Sequence, residues 1–187
     1  ISVFVKDITE RKRAEEALRR SLEETARGQR TLLALSQAAQ AVQRARTPEE
    51  VYQTVGEEVA RLGYRTTIFT LTNDRAHLVV SHLTLEPALL QAAEKLTGLL
   101  AHGYRFPLVP GGLYHQIITE GKPTFTEWTP EDVTGALPGP VRPLAGQLVA
   151  LLKMERSILA PLTVGGEAYG LLVVSGTVVL TQLPAVF

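Results

Sequence analysis

Two apolar runs meet at a pair of glycines near the end of this 187-residue chain. Residues 157–176 read SILAPLTVGGEAYGLLVVSG, rich in Val, Leu and Ile and nearly free of charge. The pattern predicts a β-hairpin turning at Gly165-Gly166, because glycine reaches the positive φ of a tight turn without a Cβ clash. Runs this apolar belong inside a sheet covered on both faces. Pro161 has no N–H to donate and predicts a bulge or an unpaired position. Gly170 predicts a close backbone approach by another element. No nucleophile, acid or metal ligand lies in this stretch, so it is scaffold, and function must be sought around it.

The rest of the pattern alternates between the two periods. Residues 1–9, ISVFVKDIT, alternate as a strand, with Val3 and Val5 on one side and Phe4 and Lys6 on the other. Residues 10–46 contain no Pro and one Gly, and Ala, Leu, Glu, Arg and Gln dominate, which predicts a long helix. Glu15/Arg19, Glu16/Arg20 and Glu23/Arg27 are i,i+4 pairs on a solvated face. The opposite face carries Leu18, Leu32, Leu35, Ala39 and Val42 in a heptad seam, weakened at Ser21, Thr25 and Gly28. One helix cannot bury that stripe, so a second copy of it, or the domain that follows, is expected to. Thr47-Pro48-Glu49-Glu50 is a helix start, and Val51, Val55, Val59 and Leu62 line one face before Gly63 ends it. Strands are predicted at 64–72 and 77–85, a helix from Pro87 to about Gly98, an irregular segment at 102–112 and a short strand at 124–126. Thr129-Pro130-Glu131-Asp132 starts another helix, with Trp128 placed to staple against Val133. The three prolines of 137–143 argue against a regular element there, and 144–154 reads as helix.

Composition narrows the classes. The hydrophobic fraction of 45% is that of a globular core. Nineteen basic and nineteen acidic residues cancel, which gives no electrostatic case for nucleic acid or an anionic membrane. There is no Cys, which excludes disulfides, thiolate catalysis, Cys-ligated zinc and a thioether-linked bilin. No apolar run approaches the roughly 18 residues of a membrane span. The chain reads as a fragment of a longer cytoplasmic protein, with both ends cut.

Two family resemblances fit these elements. ISVFVKDITERKRAEEAL resembles the exit of a PAS domain, where a strand ending in Asp-Ile-Thr (here Asp7, Ile8 and Thr9) leads into a charged helix. Residues 30–187 resemble a GAF domain in the order of their elements and above all in RSILAPLTVGGEAYGLLVV, residues 156–174; residues 181–187 resemble the start of its closing helix. The division implied is a truncated PAS strand at 1–9, a linker or signalling helix at 10–46 whose end is the first GAF helix, and the GAF domain at 30–187. The fold implied is α+β, an antiparallel sheet of five or six strands with helices on both faces, preceded by a long linker helix. The linker and closing helices dimerise on one face; helices and loops cover a small-molecule pocket on the other. The setting implied is a bacterial sensor, a histidine kinase or a cyclic-di-nucleotide enzyme, with a kinase or other output domain downstream in the same chain.

No catalytic constellation emerges from the residues. The four histidines, His77, His82, His102 and His115, form no metal motif. Haem through one axial His is known in the family, and His102 and His115 are the loop candidates, but nothing around them favours it. The ligand is therefore left unassigned. Tyr104, Phe106, Tyr114 and Trp128 lie in segments that cover the pocket in this fold and are the expected wall, with His82 reaching it from the sheet. Two readings remain: a sensory module that transmits through a dimeric helix, and a ligand-free dimerising spacer.

Overall fold

A computed structural model describes residues 11–23, 25–26, 29, 47–154 and 156–176. Among the described residues, six strands and five α-helices follow residue 47: α1 (Pro48–Arg61), β1 (Arg65–Leu71), β2 (His77–Leu83), α2 (Pro87–Thr97), β3 (Arg105–Pro107), α3 (Leu113–Glu120), β4 (Thr124–Glu127), α4 (Pro130–Thr134), α5 (Ala145–Leu151), β5 (Arg156–Val164) and β6 (Glu167–Ser175). A 3-10 helix, Gly139–Leu144, precedes α5. The strands form one antiparallel sheet in the order β3-β2-β1-β6-β5-β4. Residues 11–23 are helical, and Leu18 and Leu22 stand 61% and 60% exposed on that segment. Among the described residues no helix is long and apolar enough to cross a membrane. Leu32, Leu35, Ala39, Val42, the PAS-like strand 1–9 and the closing segment 181–187 lie outside the described residues.

The predicted hairpin is β5–β6. Gly165 and Gly166 turn it with φ of 60° and 88°, and β6 lies between β1 and β5 near the middle of the sheet. Pro161 pairs in register with Leu171, and the bulge falls one residue on, between Leu162 and Thr163. Proline is tolerated because β4 pairs with β5 only as far as Leu159, so its outer side has no ladder to serve. Gly170 meets the backbone of β1: a Cβ there would overlap the carbonyl oxygen of Phe69.

Helix starts follow local chemistry. The Glu50 amide donates to Thr47 Oγ1 (3.2 Å), and Pro48 opens α1. The Thr129 amide donates to the Asp132 carboxylate (2.8 Å) at α4. Gly98 and Gly121 close α2 and α3 in the left-handed region. On α1 the inward face is carried by Tyr52, Gly56 and Glu58, whereas Val51, Val55, Val59 and Leu62 are only partly buried. Three expectations change. The segment at 102–112 contains the short strand β3, the prolines of 137–143 permit a 3-10 turn, and α3 stands where no helix start is written.

Candidate functional site

The sheet has two unlike faces. Alternation on β1 turns Ile68 toward α1, and Thr67 and Phe69 the other way. On the second face lie Leu78, Val80, Leu159, Leu171 and Val173, roofed by α2–α5 with Phe106, Ile117, Trp128, Val133, Leu137 and Leu148. This core is incompletely filled. A cavity of about 230 Å³ lies between Thr67, Phe69, Val80 and Val173 of the sheet and Leu90, Ala93, Tyr114 and Leu148 of the roof.

Four of the five expected wall residues meet there. Tyr104, Phe106, Tyr114 and Trp128 all line the cavity and pack against one another. Phe106 and Tyr114 ring centroids are 5.5 Å apart, and those of Tyr114 and Trp128 6.2 Å. Phe69 meets Phe106 edge-on at 5.5 Å.

His82 does not join them. Leu78, Val80 and His82 would share a face by simple alternation, but the β1–β2 register slips between Ile68 and Phe69: Phe69 pairs with Val80 and Ile68 with His82. The extra residue is a β-bulge. It turns both Ser81 and His82 toward α1 and returns Leu83 to the cavity. There His82 packs so closely that a Cβ at Gly56 would overlap its Nε2. Burial lowers the His82 pKa, helped by His102 and opposed by Glu57. Nε2 of His82, Oε2 of Glu58 and Oγ1 of Thr66 are buried there without partners among the described residues. Neither His102 nor His115 lines the cavity; His115 lies on α3.

Most polar groups of the wall are already committed to the backbone. Thr84 Oγ1 accepts the Thr66 amide (2.6 Å). Thr97 Oγ1 donates to the Ala93 carbonyl (2.8 Å), and Glu94 accepts the Ala101 amide (2.9 Å). The Tyr104 hydroxyl donates to the Ala136 carbonyl (2.7 Å), and burial raises its pKa. Arg65 closes one end, donating to the carbonyls of Leu152 and of Lys153 (2.8 Å for the latter) at the C-terminus of α5. Trp128 Nε1–H donates to Ser157 Oγ (2.6 Å), which is 2.6 Å from Ser175 Oγ. Burial, and then the charge of Asp132, push the Tyr114 phenol well above its ordinary pKa. Among the cavity-lining residues that sequence reasoning missed are Thr67 and Ser175, with Ser157 bonded to Ser175. Far from it, beside the β1–β2 turn, an exposed cluster joins Asp74, His77 and Arg105. Hydrogen bonds from Thr72 and the Ala76 amide lower the Asp74 pKa.

This is the GAF fold. The chain is similar to the GAF domain of a phosphoenolpyruvate-protein phosphotransferase from Acinetobacter, at 13% identity over 78% of this chain and 76% of that one, with a TM-score of 0.54. It is similar to the phycoerythrobilin-bound GAF domain of a cyanobacterial phytochrome, at 18% identity, 83% and 88% coverage and a TM-score of 0.56. Residues 122 to 287 of a methyl-accepting chemotaxis protein give 18% identity, 80% and 84% coverage and 0.56. At these identities the likeness is one of fold. No family model matches the chain, and no curated protein does.

Proposed function

We propose that the chain is the sensory module of a multidomain bacterial signalling protein, taking up a small, mostly apolar molecule in the cavity and transmitting the change through a dimeric helix to an output domain. The observation that carries this is the cavity itself. Well-packed cores leave few voids larger than a water, and this one lies where four aromatic rings converge. Cavities of about 150 Å³ take up benzene, so about 230 Å³ suits a ligand of roughly nine non-hydrogen atoms. The bilin of the phytochrome neighbour does not carry over, since there is no Cys here for a thioether. The output domain is read as a histidine kinase or a cyclic-di-nucleotide enzyme, from the PAS-like opening.

Filling the space tests the reading. Ala93 lines the cavity and is buried. Ala93→Phe is expected to keep the circular dichroism spectrum and to weaken uptake of small aromatic compounds at least about tenfold, since overlap leaves the probe no room. Binding is read by calorimetry and by emission of Trp128, the only tryptophan. Unchanged binding in the variant would place the ligand elsewhere.

Transmission rests on the helix that opens the chain. Leu18 and Leu22 are exposed on residues 11–23, and fully burying a Leu contributes roughly 1.5–3 kcal/mol. A symmetric partner covers such a stripe most simply, in a parallel homodimer. Replacing Leu32 and Leu35 together by Glu is expected to halve the mass measured by light scattering at tens of micromolar, and a double mutant as dimeric as wild type would move the seam elsewhere. The second reading, a ligand-free dimerising spacer, draws on the same helix. It is favoured by the modest size of the cavity, below the roughly 300 Å³ at which ligand pockets usually begin.

A further inference from the structure

The cavity wall is apolar, but three hydroxyls on it keep a hydrogen without an acceptor among the described residues. Tyr114 and Thr67 line the cavity, and their hydroxyls make no hydrogen bond among the described residues. Neither hydroxyl is among the sealed polar atoms, so both reach the open space. The third is Ser175, and its role follows from the proton order of a short chain. An indole N–H can only donate. Trp128 Nε1 therefore donates to Ser157 Oγ at 2.6 Å. The Ser157 hydroxyl is fully buried, and its own hydrogen has one acceptor within reach, Ser175 Oγ at 2.6 Å. Were Ser175 the donor, the Ser157 hydrogen would be buried without a partner, which costs about 1–3 kcal/mol. The order thus runs from Trp128 to Ser157 to Ser175, and it leaves the Ser175 hydrogen free at the cavity wall. Thr67 pairs with Val173, two residues before Ser175 on the same face of the sheet.

From this arrangement we infer that the ligand is a small aromatic or alicyclic molecule bearing one hydrogen-bond-accepting oxygen, held by donors from Ser175, Thr67 and Tyr114. The inference rests on the reading of the cavity as a ligand site and specifies what that site selects. An acceptor-bearing ligand fits because the free groups in the wall offer hydrogens that the interior otherwise leaves unmatched. A purely apolar ligand of the same shape would leave them so. Sites that hydrogen-bond a ligand discriminate against the analogue lacking that group more sharply than apolar pockets reject a missing methylene. Trp128 acts as a positioning residue, since it fixes the Ser175 hydrogen without needing to touch the ligand.

A matched pair tests this on the full chain. Acetophenone and ethylbenzene have nearly the same size and shape and differ in one carbonyl oxygen. Calorimetric titration is expected to show acetophenone binding about tenfold more tightly. Ser175→Ala and Thr67→Val should each narrow the ratio. Trp128→Phe should narrow it too, because Ser157 Oγ is then free to accept from Ser175. Should any variant fail to fold, the ratio on the wild-type chain still decides. Equal affinity for the two compounds overturns the inference and leaves the cavity reading standing. Ethylbenzene and acetophenone both failing to bind at millimolar concentration overturns the cavity reading, and the inference with it.

Discussion

Gly170→Val is expected to lower the urea midpoint of unfolding sharply at 25 °C. Gly170 sits on β6 where β6 pairs with both β1 and β5, and any Cβ there overlaps the Phe69 carbonyl oxygen. The obstacle is main chain, in a strand fixed between two neighbours, so no rotamer change relieves it. Valine adds two methyl groups to that overlap. A cost of about 3 kcal/mol or more is expected, a large share of the 5–15 kcal/mol that usually holds a domain. Gly146→Ala is the control. Gly146 lies in α5, and a Cβ there meets only Pro130 Cγ at an ordinary 3.8 Å. That variant should be neutral or gain a few tenths of a kcal/mol from helix propensity. Urea denaturation followed by circular dichroism reads both, and near-wild-type stability of the valine variant would mean that β1 and β6 are not so closely pressed.

The second large effect is an alkaline loss of stability. Tyr114 is held protonated in the folded chain, chiefly by burial and further by Asp132. Above the ordinary tyrosine value of 10.0, the unfolded chain releases that proton and the folded chain keeps it. The unfolded state then binds fewer protons, so stability falls as pH rises. The contribution is intact below pH 10 and is lost above it, at up to about 1.4 kcal/mol per pH unit for one fully protected group. Tyr104 and Tyr52 shift in the same direction, Tyr52 through burial first and Tyr169 and Glu49 after it. Tyr114→Phe should flatten the slope of stability against pH between 10 and 11. An unchanged slope would assign the alkaline transition to other groups.

What the sequence made legible, and what it did not, divides along a physical line. Local chemistry read correctly. Gly165-Gly166, Thr47-Pro48, Pro87, Gly98 and Thr129 each set φ or cap an end within a few residues, and the elements they bound stand where expected. The wall aromatics were found because they fall in the covering segments of the fold. The α3 helix was not found, because it begins at Gly112 with no side-chain cap, and Tyr114 lies on it. His82 was misplaced by one extra residue in β2, an event that alternation cannot register. The hydroxyl pair was hidden in the same way. Counted from the turn, where Val164 pairs with Glu167, Ser157 would face Val174. The bulge between Leu162 and Thr163 moves the register by one and sets it opposite Ser175.

Arg65 has a consequence for how the cavity responds to its solvent. Its guanidinium holds the end of α5 through the Leu152 and Lys153 carbonyls, which carry no formal charge and do not titrate. Guanidinium stays protonated throughout the range in which proteins fold, and a cation at a helix C-terminus meets a favourable dipole. The closure of the cavity at this end therefore has no acid limb of its own. The Asp74, Arg105 and His77 cluster behaves otherwise: acid neutralises its carboxylate and added electrolyte screens its charges. Strong acid or high ionic strength thus loosens the β1–β2 turn while leaving the cavity end wall tied to the sheet.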